Sequence, residues 1–289
     1  MRKNRNNTPR SSQLVLFGGL LLASMAATGC LPENLTGYDY KSLQPPPTES
    51  VDKGYIPVGQ QVSGDLTVDL SIYNGAHTGY NHVQFTIESA ALGGPISNAT
   101  VEIKGTMFDS EGLLPPRETP ATDVEFSSDV APVYAGGLFF LPPAPGAGDF
   151  TLDLFVSLPG GDRHELSFDL DVEESIWMQR IEDANGPLYV SWVDPMKPVV
   201  GVNEFVVALH RDAGYELVSD ASLDLFPYMD MGAGEGHSTP YEAPVFSAGQ
   251  YRGTVNFIMA GGWDMTVFVD GAGLPRSEAR FPGYTVFQP

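Results

Sequence analysis

Two thioethers and one imidazole lie close together in a single stretch of this chain. Residues 227–240 read Pro-Tyr-Met-Asp-Met-Gly-Ala-Gly-Glu-Gly-His-Ser-Thr-Pro and carry Met229, Met231 and His237. Residues 223–231 have strand character, and on a strand the side chains at i and i+2 project to one face. Met229 and Met231 are therefore expected to point the same way, with His237 following in a glycine-rich loop. Soft thioether sulfur with imidazole nitrogen suits copper, above all Cu(I), better than magnesium or calcium. The competing reading is core packing, because methionine is a common apolar gap-filler. His210 and Met259 are secondary ligand candidates. His210 ends an apolar strand pattern, and Met259 and Met265 fit a core equally well. Trp263 reads as a core aromatic that could also wall a bound cation.

Nothing comparable points to catalysis. The chain has no Gly-x-Ser-x-Gly elbow, no His-Glu-x-x-His pattern and no phosphate-cradling glycine loop. Its many aspartates lack the Asp-x-Asp-x-Asp-Gly spacing of a calcium loop. The expectation is a binding protein and not an enzyme.

The elements that must position these residues begin after an export signal. Arg2, Lys3, Arg5 and Arg10 precede an apolar run from Leu14 to Ala27, and small residues lead to Cys30, the only cysteine. This is the three-part layout of a secretory signal. Ala27-Thr-Gly-Cys30 resembles the lipobox of bacterial lipoproteins, which implies lipidation of Cys30. Membrane attachment through that lipid is expected, at a periplasm-facing outer membrane or at the cell surface. Residues 1–29 are read as the signal peptide and 30–60 as a tether stiffened by Pro45-Pro46-Pro47. Removing the signal peptide takes away four basic and no acidic side chains, so the net charge moves from −21 to −25. A chain this acidic repels phosphate backbones and is not expected to bind nucleic acid.

Beyond the tether, apolar and polar residues alternate in short runs. Examples are Leu66-Val68-Leu70-Ile72, Leu152-Leu154-Val156, Leu188-Val190-Trp192 and Met265-Val267-Val269. Gly, Pro, Asn and Asp clusters separate the runs, and no long segment has a helical period, so the chain is expected to be all-β. A shift of 122 residues sets Gly79-Tyr-Asn81 on Gly201-Val-Asn203 and Ile96–Val101 on Val218–Leu223. Met107 then falls on Met229 without a gap. Two tandem immunoglobulin-like β-sandwiches follow from this repeat, at residues 61–173 and 174–289. The first copy has Met107-Phe-Asp109 opposite Met229-Asp-Met231, Glu88 opposite His210, and no counterpart of His237.

The second copy resembles the YtkA-like domain, found also in FixH-like proteins. The resemblance rests on Gly201-Val-Asn203, Val218-Ser-Asp-Ala221, Met229 to Pro240, Tyr251-Arg-Gly253, Phe257-Ile-Met259 and Gly262-Trp263. It implies an immunoglobulin-like fold and metal handling at the cell envelope, with a metal-transport or oxidase-assembly protein as partner. A non-metal spacer or docking module is the alternative, since sandwiches of this type host many unrelated tasks.

Overall fold

Alternation over short runs builds strands, and strands are the only regular elements among the described residues. The computed structural model describes residues 53–108, 115–127, 132–142, 149–182, 186–211, 214–232, 235–271 and 274–289. The first half comprises β1 (Tyr55–Ser63), β2 (Leu66–Tyr73), β3 (Gly79–Ser89), β4 (Gly94–Pro95), β5 (Thr100–Phe108), β6 (Arg117–Thr119), β7 (Glu125–Ser127), β8 (Val133–Phe140), β9 (Asp149–Ser157) and β10 (Arg163–Leu170). One sheet runs β1-β2-β3-β8-β7 with β4 beside β3, and the facing sheet runs β10-β9-β5-β6. Leu66, Val68, Leu70 and Ile72 of β2 are buried against Leu152, Leu154 and Val156 of β9 in one core.

The second half repeats this plan. Its strands are β11 (Met178–Ile181), β12 (Leu188–Asp194), β13 (Gly201–Arg211), β14 (Glu216–Leu217), β15 (Ala221–Gly232), β16 (Glu235–Ser238), β17 (Tyr241–Ser247), β18 (Gln250–Phe257), β19 (Gly261–Gly271) and β20 (Leu274–Val286). The sheets run β11-β12-β13-β18-β17, with β14 beside β13, and β16-β15-β19-β20. Trp192 centres this core, its ring 4.9 Å from Phe205, 5.3 Å from Phe281 and 4.5 Å from Tyr284. Its indole N–H donates to the Pro195 carbonyl at 3.2 Å, and the Tyr284 hydroxyl donates to the same oxygen. Both polar handles are thus satisfied inside the core.

The 122-residue register is visible in individual hydrogen bonds. Asn81 accepts from the His77 backbone N–H at 2.9 Å and donates to the carbonyls of His77 and Gly79. Asn203 does the same with Val199 and Gly201. The glycine between them sits at φ +95° in one copy and +117° in the other, where a side chain would be strained. Gly-x-Asn is therefore a device for entering β3 and β13. The backbone N–H of Ala99 donates to Tyr134, and that of Ala221 to Tyr251, each at 3.0 Å.

Two features depart from the sequence reading. The first sandwich begins at Tyr55, inside the stretch read as tether, because β1 pairs along β2 from Tyr55↔Tyr73 to Ser63↔Leu66. Its side chains are mostly exposed, so hydrogen bonding and not an apolar face makes it a strand. The second departure is β12, which is covered on both faces. Tyr189, Val193, Val206, Ala208 and Tyr215 pack with Tyr80, Phe139 and Leu141 of the first half in a cluster of their own. Tyr189 donates to the Pro142 carbonyl at 2.8 Å and Tyr215 to the Leu141 carbonyl at 2.6 Å. The two sandwiches accordingly belong to one compact unit.

A glycine makes this junction fit. A Cβ on Gly137 would fall inside the Tyr80 ring. Gly137→Ala is expected to expel that ring and lower stability by about 1–3 kcal/mol, as overpacking does. A urea midpoint equal to that of the unaltered protein would show that Tyr80 has room to move.

Candidate functional site

The Met229 region is built by three strands lying side by side. β15 pairs with β16 through Met229↔His237, and with β19 up to Tyr228↔Asp264. Trp263, the residue before Asp264, shares the core with Met229 and itself pairs with Tyr284 of β20. Opposed residues of antiparallel strands project to one face. His237, Met229, Trp263 and Tyr284 therefore form a row on the inner face of this sheet, at the end of the sandwich.

Within the row, Met229 is buried to 7% exposure, Trp263 is fully buried and His237 is half-buried. The His237 and Trp263 ring centroids are 5.8 Å apart. The Trp263 N–H donates to the Met259 carbonyl at 3.2 Å, which fixes the indole, and Met259 packs partly buried against the same core. The Met229 methyl lies 3.1 Å from where a Cβ on Gly261 would stand, and Gly261 has φ +132°. The thioether thus rests against bare backbone where the chain enters β19.

Met231 has a different environment. A bulge between Asp230 and Gly232 breaks the pairing with β16, and the Asp230 carboxylate accepts from the Gly232 N–H at 2.8 Å. Met231 ends 58% exposed, beyond the last core row. The two thioethers do not form the equivalent same-face pair expected from spacing alone: one stands in the core wall and the other at the rim.

His237 is held by the residues after it. The Thr239 hydroxyl donates to the Asn256 carbonyl, and the Asn256 N–H donates to the Pro240 carbonyl at 2.9 Å. His-Ser-Thr-Pro is therefore the clamp by which the chain leaves one sheet and joins the other. The His237 Nε2 is sealed from solvent with no hydrogen-bond partner. Buried polar nitrogens are rarely left in that state, and one that is calls for an explanation.

His210 does not join this group. It sits nine residues along β13 from Gly201, a strand length of about 30 Å. Gly201 pairs with Phe257, which packs on Trp263. His210 faces the junction instead, its ring 4.6 Å from Phe139, and burial pulls its pKa down to about 4. Cys30 lies outside the described residues. Among the described residues no group of three His, Cys, Asp or Glu side chains is placed to hold a metal.

The first copy closes the equivalent position. Met107 is buried to 1% exposure, and the Tyr215 hydroxyl reaches within 3.6 Å of its sulfur. A loop of the second sandwich thus covers the end of the first that corresponds to Met229. Trp263 is the contributor that residue types alone undervalued. Its signal was the Gly-Trp pair opening a strand, which becomes informative only once the fold packs it against His237 and into the core of Met229.

No curated protein matches the sequence. Among solved structures, a conserved domain protein from Bacillus anthracis is 11% identical, with a TM-score of 0.36 over 80% of this chain and 87% of its own. A DUF4426 family protein from Pseudomonas aeruginosa PAO1 is 15% identical, with a TM-score of 0.30 over 40% of this chain and 96% of its own. Domains 5–6 of the S-layer protein SbsC are 10% identical, with a TM-score of 0.31 over 81% and 99%. The C-terminal half carries the family match: residues 183–268, from just ahead of β12 into β19, fit the model of the YtkA-like family.

Proposed function

We propose that this protein is a lipid-anchored, non-enzymatic β-sandwich module of the bacterial envelope that binds Cu(I) through Met229, Met231 and His237. The observation that carries the reading is the His237 Nε2, buried without a partner on the residue paired with Met229. A neutral imidazole nitrogen and two thioethers form a soft donor set suited to Cu(I). The fixed indole of Trp263 stands beside the imidazole, where its π face can stabilise a cation. Met231, exposed at the rim, supplies a ligand that a receiving protein can reach. That suits delivery to a metal-transport or oxidase-assembly partner. A spacer or docking module is the second reading, favoured by the burial of Met229 and by Val245 and Phe246 standing out from the edge strand β17.

Titrating the intact protein with Cu(I) against a competing chelator tests the proposal, and one equivalent held in competition is expected. Failure to take any copper from a weak chelator leaves the docking reading. The anchor is tested separately. Cys30→Ala is expected to lose lipid labelling and leave the membrane fraction, and unchanged membrane association would refute lipidation at Cys30.

A further inference from the structure

Three of the chain's five histidines gather where the two sandwiches meet, away from Met229. His210 on β13 is 3% exposed, with its Nδ1 sealed and unpartnered. Its neighbours are the Phe139 ring, Tyr189 across the ladder on one side and Leu217 on the other. None of these is a carboxylate that could receive an added proton's charge. His77 is 6% exposed. Its Nδ1 lies 3.1 Å from the Thr78 carbonyl, and its Nε2 has no partner.

His77 also lies against the segment that connects the sandwiches. It bridges to Glu173, and the Thr78 N–H donates to the Glu173 carbonyl at 2.8 Å. Ser175 bonds both the carbonyl and the hydroxyl of Thr78. The charged or titratable groups about His77 are His82, which repels a second positive charge, and Glu173, whose side chain is exposed. His82 is the opposing influence. Its Nε2 lies 3.2 Å from the Val193 carbonyl and 3.5 Å from the Asp194 carboxylate, a contact that ties the two sandwiches together.

A cation forced into a dry contact without an acceptor is costly, and the contact yields wherever that is cheapest. Among the described residues each sandwich has its own large core, whereas the cluster at the junction holds eight buried apolar side chains. The smaller cluster is expected to open before either core. We propose that it is an acid-released latch: protons taken up by His77 and His210 part the two sandwiches while each keeps its core. The consequence is a longer reach for the Met229 end in an acidified compartment.

Amide hydrogen exchange of the intact protein at pH 7.5 and pH 5, corrected for the chemical exchange rate, tests this. The amides that tie the first sandwich to the connecting segment, those of Thr78, Glu173 and Ser175, are expected to lose protection at pH 5 by about 30-fold for each histidine, given pKa values of about 4 closed and 6.5 open. Segments Leu152–Val156 and Met265–Val269 should stay the better protected at both pH values. The double variant His77→Gln with His210→Leu should hold the junction closed at pH 5. If it does not fold at pH 7.5, His210→Leu alone should cancel about half of the loss on a logarithmic scale. The latch is overturned if the junction stays protected at pH 5, if core and junction exchange together, or if a folded variant opens as the unaltered protein does.

Discussion

Replacing Met229 and Met231 together with leucine is expected to weaken Cu(I) binding by about 100-fold or more, since even residues that merely support a ligand are worth 10–100-fold. The fold should survive, because leucine conserves apolar volume and such swaps cost under about 1.5 kcal/mol. The single variants separate the two sulfurs. Met231→Leu changes an exposed rim residue and should shift stability by no more than about 0.5 kcal/mol. Met229→Leu must repack a branched side chain against Gly261 and should carry nearly all of the double variant's stability cost. His237→Leu provides the sharpest contrast. It removes a buried nitrogen that has no hydrogen bond, so it should leave stability unchanged or raised while copper binding falls. A gain in stability with a loss of binding marks a residue kept for function. Chelator competition and thermal unfolding on the four variants read both effects. An unchanged Cu(I) titration in the folded double variant would remove the copper reading and leave the sandwich as a docking or spacer module.

Most of the scaffold was legible because alternation and repetition are local signals. Leu66 to Ile72 alternates and is buried at every second position. The ungapped register brings β3 onto β13 and β4 onto β14, and even the asparagine bonds coincide. Pairing between distant segments was not legible. β1 has no apolar face, so only its ladder with β2 reveals it. Tyr189 and Val193 looked like the outward positions of β12. Yet Leu-Tyr-Val-Ser-Trp-Val is a nearly continuous apolar run, as expected of a strand covered on both faces. At the candidate site, the spacing of Met229 and Met231 gave a shared face but could not reveal the bulge at Asp230. That irregularity depends on the return strand β16. Its trace in the sequence is the Asp-x-Gly step, in which Gly232 takes φ +81° and Asp230 bonds its N–H. His210 was ambiguous because a histidine ending an apolar strand can face either a core or a ligand. The contact that decides it comes from Phe139, in the other sandwich.

Acid is expected to weaken the whole fold between pH 6.5 and pH 4, and by pH 5 the loss should reach about 2 kcal/mol for each of His77 and His210. Burial holds both imidazoles near a pKa of about 4 when folded, against 6.5 when the chain is open. Between those values the unfolded chain binds more protons than the folded one. Their neutral burial therefore costs nothing above pH 6.5, and stability is lost as pH falls through the window. The acidic surface acts in the opposite sense. With 36 acidic against 15 basic side chains, protonating carboxylates near pH 4 relieves repulsion and favours the compact state. The histidine loss should come first, between pH 6.5 and 5, and the carboxylate gain should flatten the curve below it. Urea unfolding at pH 7.5, 6 and 5 measures the slope, and His210→Leu should remove about half of it. A stability that is level from pH 7.5 to 5 would mean that neither imidazole is held neutral by burial. The junction would then have no pH dependence of its own.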